Sequence, residues 1–218
     1  MAKVPGAVPV KSRLHASLGA TRATDLYGCF LLDRLDAVAS LSGIAPFVAF
    51  TPGDAGDRMR ALAPASFRCV AQPEVGLGER LVTLLDARLA DGHRGAIAMD
   101  SDSPTLPMSY VVEAARVLDA RTADVAIGPC DDGGYYLIGV RVPQPRLFED
   151  IPWSTDAVLA RTLERAQELR LRVHILPAWF DVDTEADLKR LHDEMTASEE
   201  SAPTRSRAFV AALYGERR

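Results

Sequence analysis

GAIAMDSDSPTLP, residues Gly95–Pro107, sets the reading of the whole chain. Four apolar residues, Ala96 to Met99, run into Asp100-Ser101-Asp102 and then into a loop punctuated by Pro104 and Pro107. An apolar run of this length closed by prolines predicts a buried strand leaving its sheet. Carboxylates at i and i+2 on the last strand residues stand beside the crevice where open α/β sheets bind ligands. Their oxygens suit a hard divalent cation, and such a cation suits a diphosphate. The same aspartates serve equally as turn residues, or as caps for a helix beginning near Pro107.

The flanking segments place this strand in an α/β sheet. Upstream, residues 46–50 (PFVAF) and 67–71 (FRCVA) read as strands, with a short helix over 57–63 between them. An amphipathic helix follows over 79–90, with Leu81, Leu84, Leu85 and Leu89 inward, and another over 107–120 carries Val111, Val112, Ala115 and Leu118. Strands alternating with helices of this length predict βαβ units and a mainly parallel sheet. The pattern then changes. Residues 124–128 and 135–140 are strands separated only by Pro129-Cys130-Asp131-Asp132-Gly133-Gly134. So short a connection, rich in turn residues, makes the pair antiparallel and the sheet mixed. On this reading Asp131 and Asp132 are turn residues.

Further out, a helix over 19–41 presents Leu26, Phe30, Leu31 and Leu35 on one face and Asp25, Asp33, Arg34 and Asp36 on the other. Ser154 or Thr155 caps a helix reaching 169, and 171–176 is an alternating strand whose His174 faces solvent. A second D-x-D, Asp181-Val182-Asp183, precedes Thr184, which caps a helix over 185–195 with Leu188 and Leu191 buried. Residues 1–195 therefore form one domain, and 196–218 a polar linker ending in AFVAALYG, a short docking helix or a homodimer contact. Residues 2–14 form a loop carrying Lys3, Lys11 and Arg13, which suits either a phosphate or a solvated basic terminus.

Composition narrows the function. At 48% hydrophobic over 218 residues the chain can bury a real core, and its net charge of −5 disfavours a nucleic-acid binder working through a basic face. Three widely spaced cysteines without a C-x-x-C pair predict reduced thiols and no zinc site. No signal peptide is evident, and no apolar run approaches the ~20 residues of a membrane span, so a cytoplasmic protein is expected. G-x-S-x-G, H-E-x-x-H and Walker motifs are all missing from the sequence. What converges instead is two D-x-D segments, a cationic loop and a glycine-turn hairpin. These suit a metal-chelated nucleoside diphosphate, with Mg2+ or Mn2+ and the cations offsetting charge on a leaving group.

VKSRL (10–14), LGERL (77–81), DSDSPTL (100–106), GPCDDGGYYLIG (128–139), PWST (152–155) and DVDTEADL (181–188), in this order, resemble the bacterial DUF2064 family. These small glycosyltransferase-like proteins, also described as radical-SAM/selenodomain-associated transferases, belong to the GT-A nucleotide-diphospho-sugar transferase superfamily. The resemblance implies a three-layer α/β/α GT-A-like fold with a mixed, mostly parallel sheet. It implies a metal site at Asp102 and Asp100, with Asp181 and Asp183 at a second metal-ligand position, and Lys11 and Arg13, with Lys3, facing phosphates. Asp132, with Asp131, becomes the candidate general base, and Gly133, Gly134 and Trp153 line the acceptor or sugar pocket. The implied reaction moves a sugar from a nucleotide-sugar donor to a small-molecule acceptor.

The chain departs from that pattern at three places. The expected first apolar strand is missing or very short before Ala2-Lys3. Ala7, Val8 and Pro9 stand where the family reads P-G-R, and Gly76 stands where it has an acidic residue. These differences bear on the donor site more than on the fold. Two other functions stay open at this point. One is a nucleotidylyltransferase releasing pyrophosphate: VPVKSRL resembles the loop of guanylyltransferases that act on phospholactate, but the G-x-G-x-R-x-G loop of most nucleotidylyltransferases is missing. The other is a catalytically diverged binding protein on the same fold.

Overall fold

The computed structural model describes residues 1–197 and 203–216. Its elements in chain order are β1 (Ala2–Lys3), α1 (His15–Leu18), α2 (Ala20–Ala39), β2 (Phe47–Thr51), α3 (Gly56–Leu62), β3 (Arg68–Ala71), α4 (Leu77–Ala90) and β4 (Ala96–Met99). They continue as α5 (Met108–Asp119), β5 (Val125–Pro129), β6 (Tyr135–Val140), α6 (Val158–Glu168), β7 (Val173–Ile175), α7 (Glu185–Ala197) and α8 (Thr204–Gly215). They fall into two units. One comprises Met1–Ala71, Ser101–Leu106 and the chain from Asp181 onward; the other comprises Gln72–Asp100 and Pro107–Phe180.

The first unit is built on a parallel sheet ordered β1-β2-β3. β2 alternates, with Val48 and Phe50 buried, and these pack with Val4, Val10, Tyr27, Leu31 and Met59. The short first strand is two residues long, with Ala2 paired to Phe50 and Lys3 to Thr51.

α2 corrects the two-faced reading of its sequence. Asp33 and Arg34, expected on the solvated side, are 7% and 4% exposed. α8 explains Asp33. Pro203 precedes α8 and has no side chain able to cap it, so Asp33 does so from α2. Asp33 Oδ2 accepts the Ser206 N–H and hydroxyl, both at 2.7 Å, and Oδ1 accepts the Arg205 N–H at 3.2 Å. Val210 and Leu213 are buried, and Tyr214 stacks on His192 of α7 at 4.1 Å. The C-terminal segment is thus a helix docked within its own chain, and it begins earlier than AFVAALYG suggests. Helix also takes both ends of the expected linker, whose residues 198–202 lie outside the described residues.

The second unit holds the mixed sheet, ordered β4-β6-β5-β7. β5 and β6 form the expected antiparallel hairpin, with Val125 opposite Val140 and Ile127 opposite Ile138. β4 also runs antiparallel to β6, and β7 lies parallel to β5. Val125, Ala126, Ile127, Leu137, Ile138 and Val140 are at most 1% exposed, which is why these strands read as continuous apolar runs rather than alternating ones. α6 starts at Val158, later than expected. Ser154 has a left-handed φ of 66°, and Thr155 Oγ1 accepts the Ala157 N–H while donating to the Pro152 carbonyl, so PWST forms a turn ahead of the helix. Among the described residues no helix is long and apolar enough to cross a membrane.

Candidate functional site

Ser101–Leu106 belongs to the first unit, so the boundary between units falls inside Asp100-Ser101-Asp102. α2 holds this loop at both ends. The Tyr27 hydroxyl lies 2.9 Å from Ser101 Oγ, and two helical turns on, Arg34 Nη1 donates to the Leu106 carbonyl at 3.2 Å. Burial first, and then the Asp102 carboxylate, push the Tyr27 hydroxyl up to about 12, so it stays a neutral hydrogen-bonding group at physiological pH. The Val182 N–H donates to the Asp102 carbonyl at 3.1 Å, which sets the second D-x-D alongside the first loop.

Asp183 is then fixed by a capping box at the start of α7. Asp187 Oδ2 accepts the Thr184 N–H at 2.8 Å and its hydroxyl at 2.7 Å, while Thr184 Oγ1 accepts the Asp187 N–H at 3.3 Å. The Thr184 cap expected from the sequence is therefore present. Thr184→Ala should cost about 1 kcal/mol in chemical denaturation, the ordinary value of a lost cap. An unchanged midpoint would show that the box contributes nothing.

Lys11 enters the site with strained backbone. Its φ and ψ of 49° and 42° are left-handed, a conformation that costs an L-residue roughly 1–2 kcal/mol and persists only where the surroundings impose it. Buried Val10 and Leu14 flank it, and the Leu14 N–H returns to the Lys11 carbonyl at 2.9 Å. The side chain is 3% exposed, with Nζ 2.8 Å from Asp102 Oδ1 and 2.9 Å from Asp183 Oδ1. Burial alone would lower the ammonium pKa, but Asp102 and Asp183 outweigh it and hold the group above the usual lysine range. Arg13, 72% exposed, brings Nη1 to 3.5 Å from Asp183 Oδ2. The structure thus joins Lys11, Arg13, Asp102 and Asp183, four expected site residues from three separate stretches of sequence.

This cluster can hold a hard cation and face an anion. Asp102 and Asp183 already converge on one positive charge, and each side chain is 37% exposed and reachable. Carboxylate oxygens of this kind fit Mg2+ or Mn2+. Asp181 lies two residues before Asp183 in the same unit and is half-buried. Lys3 lies on β1 with its side chain exposed, and its backbone N–H donates to the Tyr27 hydroxyl at 2.9 Å.

Asp100, Asp131, Asp132, Gly133, Gly134 and Trp153 belong to the second unit. The Asp100 N–H continues the β4–β6 ladder to the Tyr136 carbonyl at 2.9 Å. In the hairpin loop, Asp132 Oδ1 accepts the Gly134 N–H at 2.9 Å, an Asx turn that leaves both aspartates exposed. Gly133, with a φ of 87°, offers its carbonyl to the Leu159 N–H of α6 at 2.8 Å. A Cβ there would stand 2.1 Å from the Asp156 carbonyl oxygen. Trp153 packs against Gly78, where a Cβ would come within 3.0 Å of Nε1, and edge-on to Tyr135 at 6.4 Å. LGERL, DDGGYY and PWST are therefore motifs that pack on one another. Sequence reasoning missed Tyr27, Ser101 and Arg34; the available signal was two polar residues seven apart on one stripe of α2.

These elements define an α/β protein with a nucleotide-diphospho-sugar transferase-like fold. Among solved structures, a "putative nucleotide-diphospho-sugar transferase" from Desulfovibrio desulfuricans G20 is 33% identical, over 98% of this chain and 92% of that one, with a TM-score of 0.89. The chain belongs to the bacterial family described as "Uncharacterized protein conserved in bacteria (DUF2064)", whose model matches residues 34–155. CMP:2-keto-3-deoxy-manno-octonic acid synthetase complexed with CTP shares the fold at 15% identity, over 77% of this chain and 88% of that one, with a TM-score of 0.53. Comparison with curated proteins gave no match.

Proposed function

We propose that the chain is a metal-dependent glycosyltransferase-like enzyme that moves a sugar from a nucleotide-sugar donor to a small-molecule acceptor. The observation that carries this reading is the cluster of Asp102 and Asp183 around Lys11, with Arg13 at its rim. Asp102 and Asp183, with Asp181, are the candidate holders of Mg2+ or Mn2+, which when bound would supply charge neutralisation at the donor diphosphate. Lys11 and Arg13 stabilise the same phosphates as the anomeric C–O bond breaks and a nucleoside diphosphate departs. Asp132, or its neighbour Asp131, takes the proton from the attacking acceptor hydroxyl. Gly133, Gly134 and Trp153 shape the acceptor or sugar side of the site. The expected setting is the cytoplasm.

Thermal denaturation with UDP, GDP, CDP and their sugars, with and without Mg2+ or Mn2+, tests the reading. One nucleotide should raise the midpoint, more so with metal, because a ligand at 100 times its Kd adds about 2.7 kcal/mol. Asp102→Asn should remove the metal-dependent part of that shift. No shift with any nucleotide would favour a non-catalytic binding protein. Pyrophosphate release from a nucleoside triphosphate panel would instead identify a nucleotidylyltransferase, the activity implied by the name of the CTP-bound synthetase that shares this fold.

A further inference from the structure

Lys11 occupies the point on which the carboxylates of Asp102 and Asp183 converge, at 2.8 and 2.9 Å. A divalent cation taking both Oδ1 atoms would meet the ammonium there, and two cations cannot share that point without strong repulsion. The local charge count points the same way. Both carboxylates already have a positive partner, Lys11 for each and Arg13 for Asp183 as well, so a further cation must compete for them while Lys11 stays in place. The lysine stem is flexible, but its base is fixed, because Val10 and Leu14 bury the strained backbone on either side. The ammonium can therefore swing while the loop stays put.

We infer that Lys11 is an internal counter-cation which a divalent metal displaces from Asp102 and Asp183, and that displacement delivers the ammonium to an anionic ligand. The inference rests on the metal-dependent reading above and adds a regulatory rule to it. Metal binds weakly to the ligand-free protein, and a phosphate-bearing ligand strengthens it by giving Lys11 a new counter-ion. The coupling is reciprocal, so metal strengthens the anion equally.

Mn2+ alone is the probe, with the free-ion signal followed by electron paramagnetic resonance. Lys11→Met should bind Mn2+ about tenfold or more tightly than the unaltered chain, since one competing charge at this distance is worth at least 1.4 kcal/mol outside bulk water. A second measurement needs no substitution. The chain has three lysines, Lys3, Lys11 and Lys189, and the Lys189 side chain is 67% exposed. Pulsed acetylation read by mass spectrometry should find Lys11 protected without metal and, with saturating Mn2+, acetylated about tenfold faster relative to Lys189. Equal or weaker Mn2+ binding by Lys11→Met, or a Lys11 that stays protected in saturating Mn2+, overturns the displacement while leaving the metal-dependent reading intact. Failure of both proteins to bind Mn2+ overturns the inference and the metal dependence together.

Discussion

Gly133→Ala is expected to lower the free energy of unfolding by about 3 kcal/mol, while Gly134→Ala next to it should cost under about 1 kcal/mol. The two glycines are adjacent in one motif but do different work. Gly133 has a φ of 87°, and a Cβ on it would stand 2.1 Å from the backbone oxygen of Asp156, which cannot rotate away. Gly134 has no such φ, and the nearest atoms to its Cβ would be those of the flexible Asp132 carboxylate, the first at 3.2 Å. For a chain of this size the first substitution should drop the melting temperature by roughly 10 °C. Equal shifts for the two variants would show that the loop adapts and that its packing on the chain before α6 is not rigid.

Asp33→Ala is expected to release α8 from α2. One carboxylate accepts two backbone N–H groups and a serine hydroxyl at the start of the helix, and Arg205 Nη1 approaches it at 3.2 Å. Removing it deletes a cap, charge-assisted hydrogen bonds and the partner of the buried Ser206, together about 3 kcal/mol. Amide hydrogen exchange in α8 should accelerate about 100-fold, while the β5 and β6 amides keep their protection. Asp33→Asn keeps an acceptor and should fall between the two. Unchanged protection in α8 would mean that Val210 and Leu213 hold the helix unaided.

The element order was legible because each cue was local. Apolar runs ended at prolines, the Asp-Asp-Gly-Gly turn implied an antiparallel pair, and Thr184 marked a helix start. The misreadings on α2 share a cause: the deciding contact lay far away in sequence. Asp33 and Arg34 looked solvated because helical periodicity carries no information about α8, 172 residues on, or about Leu106, 72 residues on. PWST looked like a helix cap, since its serine and threonine are good caps, but the left-handed Ser154 makes it a turn.

The candidate site divides along the same line. From sequence alone came the residue types, two D-x-D segments and the cations of the N-terminal loop, because carboxylates and ammonium groups declare their chemistry wherever they stand. Only the tertiary structure decided their pairing. It sets Lys11 between Asp102 and Asp183, splits Asp100 from Asp102 at a unit boundary, and turns Tyr27 and Arg34 into supports of the loop. An ion pair depends on distance falling to about 3 Å, and the fold sets that distance.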